Sequence, residues 1–155
     1  MVIRIGLIAD THGLLRPQAL AFLQGSDAIL HAGDIVDPAT LERLAGIAPL
    51  TSVRGNNDNG AWARALPETI TVTFGGIAIH MLHDLKELAI NPVASGVRVV
   101  VTGHTHKPAC VERGGVLYVN PGAAGRRRFT LPVSVGELII DNGQASVRLV
   151  TLDIP

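Results

Sequence analysis

Apolar runs of strand length alternate with two helical segments through the first third of the chain. The runs cover residues 2–9, 27–32 and 50–53. Pro17 and Pro38 stand in the first turn of the intervening segments 17–24 and 38–48, where proline favours a helix start, and Asp37 is suited to cap the second of them. Strand, helix, strand, helix, strand is the pattern of βαβ units. This part is therefore predicted to form a parallel sheet covered by helices.

The rest of the chain has the pattern of paired strands. The predicted strands lie at 68–74, 77–82, 97–102, 109–113, 116–119, 133–140 and 145–153. Gly-Gly or Asn-Gly turns join three pairs of them into hairpins, and one helix is predicted over 84–90. We expect two sheets, the first mainly parallel and the second mainly antiparallel, packed together with helices outside. At 155 residues they form a single domain spanning 1–155.

The composition excludes several classes of protein. The formal net charge is zero, with 13 basic and 13 acidic residues, and aromatic residues make up 3% of the chain, so extended nucleic acid is not an expected partner. The single cysteine, Cys110, permits no internal disulfide and is typical of a reducing compartment. No stretch approaches the roughly 18 apolar residues of a membrane span, and the N-terminus resembles a strand more than a signal peptide. We therefore expect a cytoplasmic protein without a membrane partner.

Polar clusters follow or end the apolar runs at five points of the chain. They are Asp10-Thr11-His12, Gly33-Asp34, Gly55-Asn56-Asn57-Asp58, His83 and Gly103-His104-Thr105-His106. Loops at the same end of a sheet bring such clusters into one pocket. Carboxylate, imidazole and amide oxygen groups are suitable ligands for divalent cations. The sequence therefore predicts a site for two metal ions and, with it, hydrolysis of a phosphate ester.

Each cluster has an ordinary alternative when it is considered alone. Asp10 and Asp34 are also suited to cap helices, and the glycine- and asparagine-rich segment 55–60 has the composition of a turn. Asn57, Asn59 and Gly60 are interpreted in that way. His31 and His80 lie within strands and are interpreted as hydrogen-bonded structural histidines. The metal site is favoured because all five clusters occur in order, each at the end of a strand.

The ordered motifs Asp-x-His, Gly-Asp, Gly-Asn-x-Asp, His and Gly-His-Thr-His resemble the calcineurin-like metallophosphoesterase superfamily. The short length is similar to its single-domain bacterial and archaeal phosphodiesterase branch, which is related to a retromer scaffold subunit. The resemblance runs from Ile3 to about Val150 and includes Asn120-Pro121-Gly122, where Ala123 replaces a serine common in that branch. It implies a four-layer α-β-β-α sandwich of two packed mixed sheets with helices on the outside.

The resemblance also implies how the ligands divide between two metal ions. One ion would be held by Asp10, His12, Asp34 and His106. The other would be held by Asp34, Asn56, His83 and His104, with Asp34 shared. Mn²⁺ is typical, and Fe, Zn, Ni or Co are the alternatives. The implied activity is phosphodiester hydrolysis by a hydroxide that the two ions activate, with Asp34, Asn56 and His104 acting directly at the reaction centre. A phosphomonoesterase or nucleotide phosphatase, and a non-catalytic interaction scaffold, are the alternative functions.

Two positions depart from the family pattern. Asn57 stands where many members carry a histidine that protonates the leaving group, and Asp84 stands where glycine is frequent. Asparagine cannot act as a general acid, so the sequence predicts a preference for small phosphodiesters or nucleotide-like substrates with good leaving groups. Whether Asp58 or Asp84 supports the site is left open by the sequence.

A run of three arginines, Arg126-Arg127-Arg128, follows the Asn-Pro-Gly turn. It is predicted to hold a substrate phosphate. A solvated basic loop or a subunit contact is the alternative, and a homodimer or higher homo-oligomer is compatible with the exposed edge strands that the second sheet is expected to have.

Overall fold

Two five-stranded sheets pack face to face in a computed structural model that describes all residues, 1–155. The first sheet contains β1 (Val2–Ile8), β2 (Ala28–His31), β3 (Leu50–Ser52), β9 (Ser134–Asp141) and β10 (Gln144–Thr151). The second contains β4 (Thr69–Phe74), β5 (Ile77–Leu82), β6 (Val97–Val101), β7 (Ala109–Arg113) and β8 (Val116–Asn120). The strand orders are β10-β9-β1-β2-β3 and β4-β5-β6-β8-β7.

Both sheets are mixed, as the family resemblance predicted. In the first, β1, β2 and β3 run parallel, while β9 and β10 add antiparallel to β1. In the second, β5, β6 and β8 run parallel, and β4 and β7 are antiparallel edge strands. The expectation of one mainly parallel and one mainly antiparallel sheet is therefore wrong. Local alternation identifies a hairpin but does not say which distant strand it pairs with.

Two helices cover the outer face of the first sheet. They are α1 (Pro17–Leu23) and α2 (Pro38–Ala45), and both begin at the predicted prolines. Asp37 caps α2 by accepting a hydrogen bond of 3.0 Å from the backbone N–H of Ala39. The helix ends three residues earlier than predicted, where Gly46 follows it. A third short helix, α3 (Ala61–Arg64), follows the turn after β3. No helix is long and apolar enough to cross a membrane.

The prediction of a helix over residues 84–90 is wrong. Only a single 3₁₀ turn forms, at Leu85–Glu87, and the backbone of Leu88 is extended. Leu88 and Ile90 pack instead against the outer face of the second sheet, next to Leu82 and Val100. Two side chains spaced two residues apart reach the same face from an extended chain but not from a helix, so burial of this pair overrides the helical pattern.

An aliphatic core fills the space between the sheets. It comprises fifteen buried residues, among them Leu7, Leu30, Met81 and Val101, and it contains no aromatic side chain. The alternation of each strand turns one face into this core. β1 and β2 run parallel in the first sheet, and β5 and β6 run parallel in the second. The loops that follow these four strands therefore emerge along one edge of the two packed sheets.

A charged cluster joins β1, β9 and β10 on the face of the first sheet that α1 covers. Glu137 accepts hydrogen bonds from Arg4 Nε at 2.6 Å and from Arg148 Nε at 2.8 Å. Arg4 also donates to the carbonyl oxygens of Phe22 and Gln24, which ties β1 to the end of α1. Burial acts to raise the pKa of Glu137, but the two arginines outweigh it and hold that pKa below its usual value.

Replacing Glu137 with glutamine is expected to reduce the free energy of unfolding at pH 7 by about 1.5–3 kcal/mol, the range for a hydrogen bond to a charged group. Because the folded-state pKa is lowered, this stabilisation is present above about pH 4.5 and is lost as the pH falls through the folded-state value. Urea unfolding of parent and variant at pH 7 and pH 3 measures the difference, which should shrink at the lower pH. The exposed Glu112→Gln is the control, and an equal difference at both pH values would contradict the assignment.

Candidate metal centre

The polar clusters converge at the edge where the loops emerge. Backbone hydrogen bonds join the loops to one another: Asp10 N–H to Gly33 O at 3.0 Å, His12 N–H to Asp34 O at 3.0 Å, and Gly103 N–H to His83 O at 2.9 Å. Two contacts cross between the sheets: His104 N–H donates to Asp10 Oδ2 at 3.0 Å, and His83 Nδ1 lies 2.7 Å from the Ala32 carbonyl oxygen, so both sheets contribute to one site. The prediction that these clusters share a pocket is in agreement with this geometry.

Five of the predicted ligands form a tight group. The Asp10 carboxylate oxygen Oδ1 lies 3.8 Å from His12 Nε2, 3.9 Å from His83 Nε2 and 3.6 Å from His106 Nε2. Asp34 Oδ2 lies 3.5 Å from His12 Nε2 and 3.3 Å from His83 Nε2. Two overlapping triads result, Asp10–His12–His106 and Asp10–Asp34–His83.

Four buried polar atoms in this group have no hydrogen-bond partner: Asp10 Oδ1, His12 Nε2, His83 Nε2 and His106 Nδ1. An unsatisfied polar atom away from water is costly, and buried groups of this kind are normally paired or bound to a metal. Carboxylate and imidazole together form a donor set suited to Mn²⁺, Fe²⁺ or Zn²⁺. The residues present therefore fit a divalent cation.

The orientation of His83 is fixed by a contact outside the group. Its Nδ1 lies 2.7 Å from the carbonyl oxygen of Ala32. A carbonyl only accepts, so Nδ1 carries the proton and Nε2 points at Asp34 with its lone pair or a second proton. Burial acts to lower the pKa of His83, but Asp34 outweighs it and raises that pKa. Asp34 thus favours a positive charge at His83 Nε2, which a proton or a metal ion supplies.

At neutral pH the protonation states of His12, His106 and Asp34 favour cation binding, whereas Asp10 must first lose a proton. Burial raises the pKa of Asp10 to about 7. Burial also lowers the pKa of His106 to about 4 and that of His12 below its usual value, so both imidazoles are neutral at pH 7. For Asp34 burial acts upward, but His83 and the Asn57 amide groups outweigh it and hold the pKa well below its usual value.

Asn56 and His104 lie beside the tight group. Asn56 Oδ1 is 3.2 Å from His104 Nδ1, and both residues face a cleft together with His83. The rings of His83 and His104 meet edge to face, with centroids 5.2 Å apart. The structure thus brings all seven predicted ligands to one place, five of them in direct proximity. The division between two ions, with Asp34 shared, stays a prediction, because Asp10 is the residue common to both triads.

Asp58 braces the loops that carry the site. Its carboxylate accepts four backbone N–H groups, from Asp34, Ile35, Val36 and Gly55, at 2.7–2.9 Å. The loops after β2 and β3 are therefore locked together beneath Asp34. The sequence left this role open. Only the structure shows that Asp58 is buried while its neighbours in the turn are exposed.

Asn57 is more than a turn residue, and that interpretation is corrected. Its side-chain Nδ2 donates to Asp34 Oδ2 at 2.9 Å and its backbone N–H donates to Asp34 Oδ1 at 3.0 Å. Both oxygens of Asp34 are thus held in place by one residue. The sequence pattern could not identify this contact, because the amide of an asparagine serves equally well in a turn.

The loop backbone is strained where the predicted ligands lie. Six non-glycine residues of these loops adopt a positive φ: Asp10, His12, Asp34, Val36, His104 and His106. Conformations of this kind cost free energy and persist where surrounding contacts hold them, which is common at functional sites. Gly55 and Gly103 allow the close approach, since a Cβ at either would collide with Asp34 or Asp10.

Asn120 holds the Gly-His-Thr-His loop. Its Nδ2 donates to the Gly103 carbonyl at 2.9 Å and to Thr105 Oγ1 at 3.1 Å, while its Oδ1 accepts from Gly122 N–H. The side chain therefore connects the end of β8 to the loop that carries His104 and His106. Its place in the Asn-Pro-Gly motif was noted in the sequence, but its partners were not predictable from it.

Two further histidines have structural roles, as predicted. His31 Nδ1 accepts from the backbone N–H of Gly33 at 3.1 Å, and its Nε2 lies 3.1 Å from Thr11 Oγ1. His80 Nδ1 lies 2.8 Å from Thr71 Oγ1. Neither histidine belongs to the two triads.

Two clefts are lined by different members of the tight group: His83 faces one of them, and His12 and His106 face the other. The larger, about 590 Å³, is lined by Asn56, His83 and His104 and rimmed by acidic residues that include Asp84. Asp84 Oδ2 lies 3.7 Å from His104 Nε2, so it faces the site. The smaller cleft has a volume of about 410 Å³. It is lined by two histidines and four exposed residues: His12, His106, Arg126, Arg127, Arg128 and Phe129. The arginines therefore lie at the ligand end of the sheets, and Phe129, which the sequence did not single out, lines the same cleft.

Comparisons with known proteins agree with this geometry. A family model described as a calcineurin-like phosphoesterase superfamily domain matches residues 3–143. A probable metallophosphoesterase of Methanothermobacter thermautotrophicus is 30% identical over 97% of this chain and 94% of its own. The fold is similar to a structurally characterised archaeal phosphodiesterase (TM-score 0.80, 24% identity, 97% of this chain and 100% of that one). It is also similar to Vps29 of Entamoeba histolytica complexed with Zn²⁺ (TM-score 0.75, 25% identity, 97% and 100%).

Proposed function

Since the chain belongs to the calcineurin-like phosphoesterase superfamily, we propose that it is a metal-dependent phosphodiesterase. The observation that carries the proposal is a group of three partnerless buried atoms: His12 Nε2 and His83 Nε2 lie 3.8 Å and 3.9 Å from Asp10 Oδ1, and none of the three has a hydrogen-bond partner. The family binds divalent metal ions, and a similar structure was solved with Zn²⁺. The residues of the tight group, with Asn56 and His104, are the ones we assign to metal binding.

Divalent ions at such a site lower the pKa of a coordinated water toward neutrality and neutralise charge on phosphoryl oxygens. Asp10 and Asp34 would supply the negative charge that holds the ions, and the neutral imidazoles of His12 and His106 would supply lone pairs. Asn56 and His104 line the open side of the group, where their polar atoms are available to a phosphoryl oxygen. We assign Asp34, Asn56 and His104 to the reaction centre on this basis.

The position of Asn57 supports diesters with good leaving groups as substrates. Its side-chain amide donates to Asp34 Oδ2, its backbone N–H donates to Asp34 Oδ1, and neither group is an acid that can protonate a leaving group. A leaving group that is already a stable anion needs no acid, whereas general acid catalysis is worth roughly 10²–10⁴-fold for a poor one. The two clefts support a diester over a monoester, because a diester has one arm for each cleft.

The test is a comparison of two esters with the same leaving group. The protein is freed of metal, reloaded with Mn²⁺, Zn²⁺, Fe²⁺, Ni²⁺ or Co²⁺ and assayed with bis(p-nitrophenyl) phosphate and p-nitrophenyl phosphate, with the metal content measured in parallel. We expect metal-dependent hydrolysis with a higher kcat/KM for the diester. A higher kcat/KM for the monoester would favour a phosphatase, and metal binding without hydrolysis of either ester would favour the scaffold function.

Metal binding is expected to weaken as the pH falls below 7. Asp10, with a pKa of about 7 in the metal-free protein, must lose its proton before its carboxylate can hold a cation. His83, whose pKa is raised, must also lose its Nε2 proton, so Mn²⁺ affinity should fall by about 10–100-fold per pH unit once the pH is below both pKa values. Calorimetric titration at pH 5.5–8.5 in buffers of different ionisation enthalpy measures the affinity and the protons released. An affinity independent of pH from 5.5 to 7 would exclude Asp10 as the titrating ligand.

We also propose a substrate class, a location and an assembly state for this protein. The substrate is a small phosphodiester or nucleotide-like molecule, the location is cytoplasmic and the assembly is a homodimer or higher homo-oligomer. Sedimentation of the purified protein measures the last of these directly.

A further inference from the structure

The smaller cleft is bounded by a turn whose position is fixed by the site itself. Arg16 Nε donates to the carbonyl oxygen of Gly125 at 2.9 Å, and the backbone of Gly125 lies so close to Thr11 that a Cβ would collide with it. The Leu131 N–H closes the turn on the Arg128 carbonyl at 3.0 Å. Residues 126–129 are therefore held opposite His12 and His106, rather than projecting freely from the surface.

Phe129 combines an exposed aromatic ring with a strained backbone. It is 89% exposed, and it is the only exposed residue among the three phenylalanines, one tyrosine and one tryptophan of the chain. Its φ of 52° is a conformation that side chains with a Cβ rarely adopt. Exposure of a large apolar ring and a strained backbone at one residue both have a cost, and both occur at the mouth of a cleft beside the candidate metal centre.

The charge of the two clefts differs. Three guanidinium groups, from Arg126, Arg127 and Arg128, line the cleft that contains Phe129. The larger cleft has three carboxylates, from Glu68, Asp84 and Glu87, and the guanidinium of Arg54. An arm that carries extra negative charge is therefore favoured on the arginine side, where bidentate guanidinium contacts with phosphate are strong. An exposed aromatic ring next to these groups favours an arm that is also planar and aromatic.

We propose that this cleft binds the nucleotide arm of a phosphodiester substrate, with the base stacked on Phe129 and a further phosphate of the same arm paired with the arginines. This inference rests on the proposed phosphodiesterase function and specifies its substrate class. The scissile phosphate lies at the candidate metal centre, and the leaving group occupies the acidic-rimmed cleft. The arginines alone would fit any anion, and the ring alone any apolar group; only the two together select a nucleotide.

The test uses three esters that release the same p-nitrophenolate. Methyl p-nitrophenyl phosphate has no aromatic arm, thymidine 5′-(p-nitrophenyl phosphate) adds a nucleoside, and its 3′-phosphorylated form adds a second phosphate. In each case water oxygen bonds to phosphorus, the bond to p-nitrophenolate breaks with its electron pair, and the proton passes to solvent. We expect kcat/KM of the metal-loaded protein to rise at each step of this series.

Substitutions separate the two contacts. Phe129→Ala should raise KM for the two thymidine esters by about 5–150-fold, the range of one base–aromatic stacking contact, and leave the methyl ester unchanged. Phe129→Trp should restore the parent value. A variant with all three arginines replaced by alanine should lose the gain from the 3′-phosphate. Val93→Ala and Arg98→Ala, two exposed positions outside the clefts, control for loss of apolar surface and of charge.

A direct binding measurement keeps this inference separate from the proposed function. Thymidine 3′,5′-bisphosphate is titrated into the metal-loaded protein and its variants by calorimetry, without any turnover. Binding that weakens in Phe129→Ala and in the arginine variant supports the nucleotide cleft even where no ester is hydrolysed. Equal kinetics on all three esters, together with bisphosphate binding that neither substitution changes, would overturn it.

Discussion

Replacing Asp34 with alanine is expected to lower metal-dependent phosphodiesterase activity by about 10³-fold or more, since charge stabilisation by a metal ion is worth several kcal/mol. Asp34 lies within 3.5 Å of His12 Nε2 and of His83 Nε2, and both of its oxygens are held by Asn57. Its removal takes away the carboxylate nearest to two proposed metal-binding nitrogens. Initial rates on bis(p-nitrophenyl) phosphate and metal content per chain measure the effect.

Two further substitutions make that result specific. Asp34→Asn keeps the shape and one acceptor oxygen but removes the charge, so its activity should also fall by at least about 100-fold. Asp153→Ala is the control. It removes an exposed aspartate that belongs to neither triad and should change neither activity nor metal content. Full activity of Asp34→Ala with Mn²⁺ would falsify the proposed metal centre.

Replacing Asp58 with alanine is expected to reduce the free energy of unfolding by about 3–5 kcal/mol, because it leaves buried donors without a partner. Four backbone N–H groups lose their acceptor at once, and three of those groups belong to consecutive residues, 34–36. A loss of this size is a large part of the stability of a typical domain. Urea unfolding of the metal-free protein measures it.

The same change should also affect the site above it. Asp58 does not belong to the tight group, yet it holds the backbone N–H of Asp34 at 2.9 Å. Loss of an outer partner typically weakens metal affinity by about 10–100-fold. The neighbouring Asn59→Ala, exposed in the same turn, is the control for the loop. Unchanged stability and unchanged metal affinity in Asp58→Ala would contradict the role of brace.

The sequence identified the polar residues that the structure brings together, because a chemical pattern and a structural pattern coincide in it. Asp10, Asp34 and His106 are polar residues placed directly after apolar runs, and strand ends of packed sheets lie together. The same reasoning separated His31 and His80 from the ligands, since both lie inside strands. Short-range information of this kind needs only the order of residues along the chain.

The sequence was insufficient where the partner of a residue is far away in the chain. Glycine-rich turns identified the hairpin that contains β9 and β10, but not its addition to β1. The extended segment after the 3₁₀ turn was mistaken for a helix because only the fold reveals which surface Leu88 and Ile90 must cover. In each case the free energy of burying a face against a distant element decided between local alternatives.

The chain by itself determined the chemistry of this protein: the number, type and order of its carboxylate, imidazole and amide groups, and their position at the ends of strands. The tertiary structure decided how those groups are held and what surrounds them. Asp58 and Asn57 act through contacts with Asp34 across more than 20 residues, and Phe129 faces His12 across a cleft. Hydrogen bonds to backbone N–H groups and exposure at a cleft leave no periodic signal in a sequence, because they depend on where distant loops meet in the folded chain.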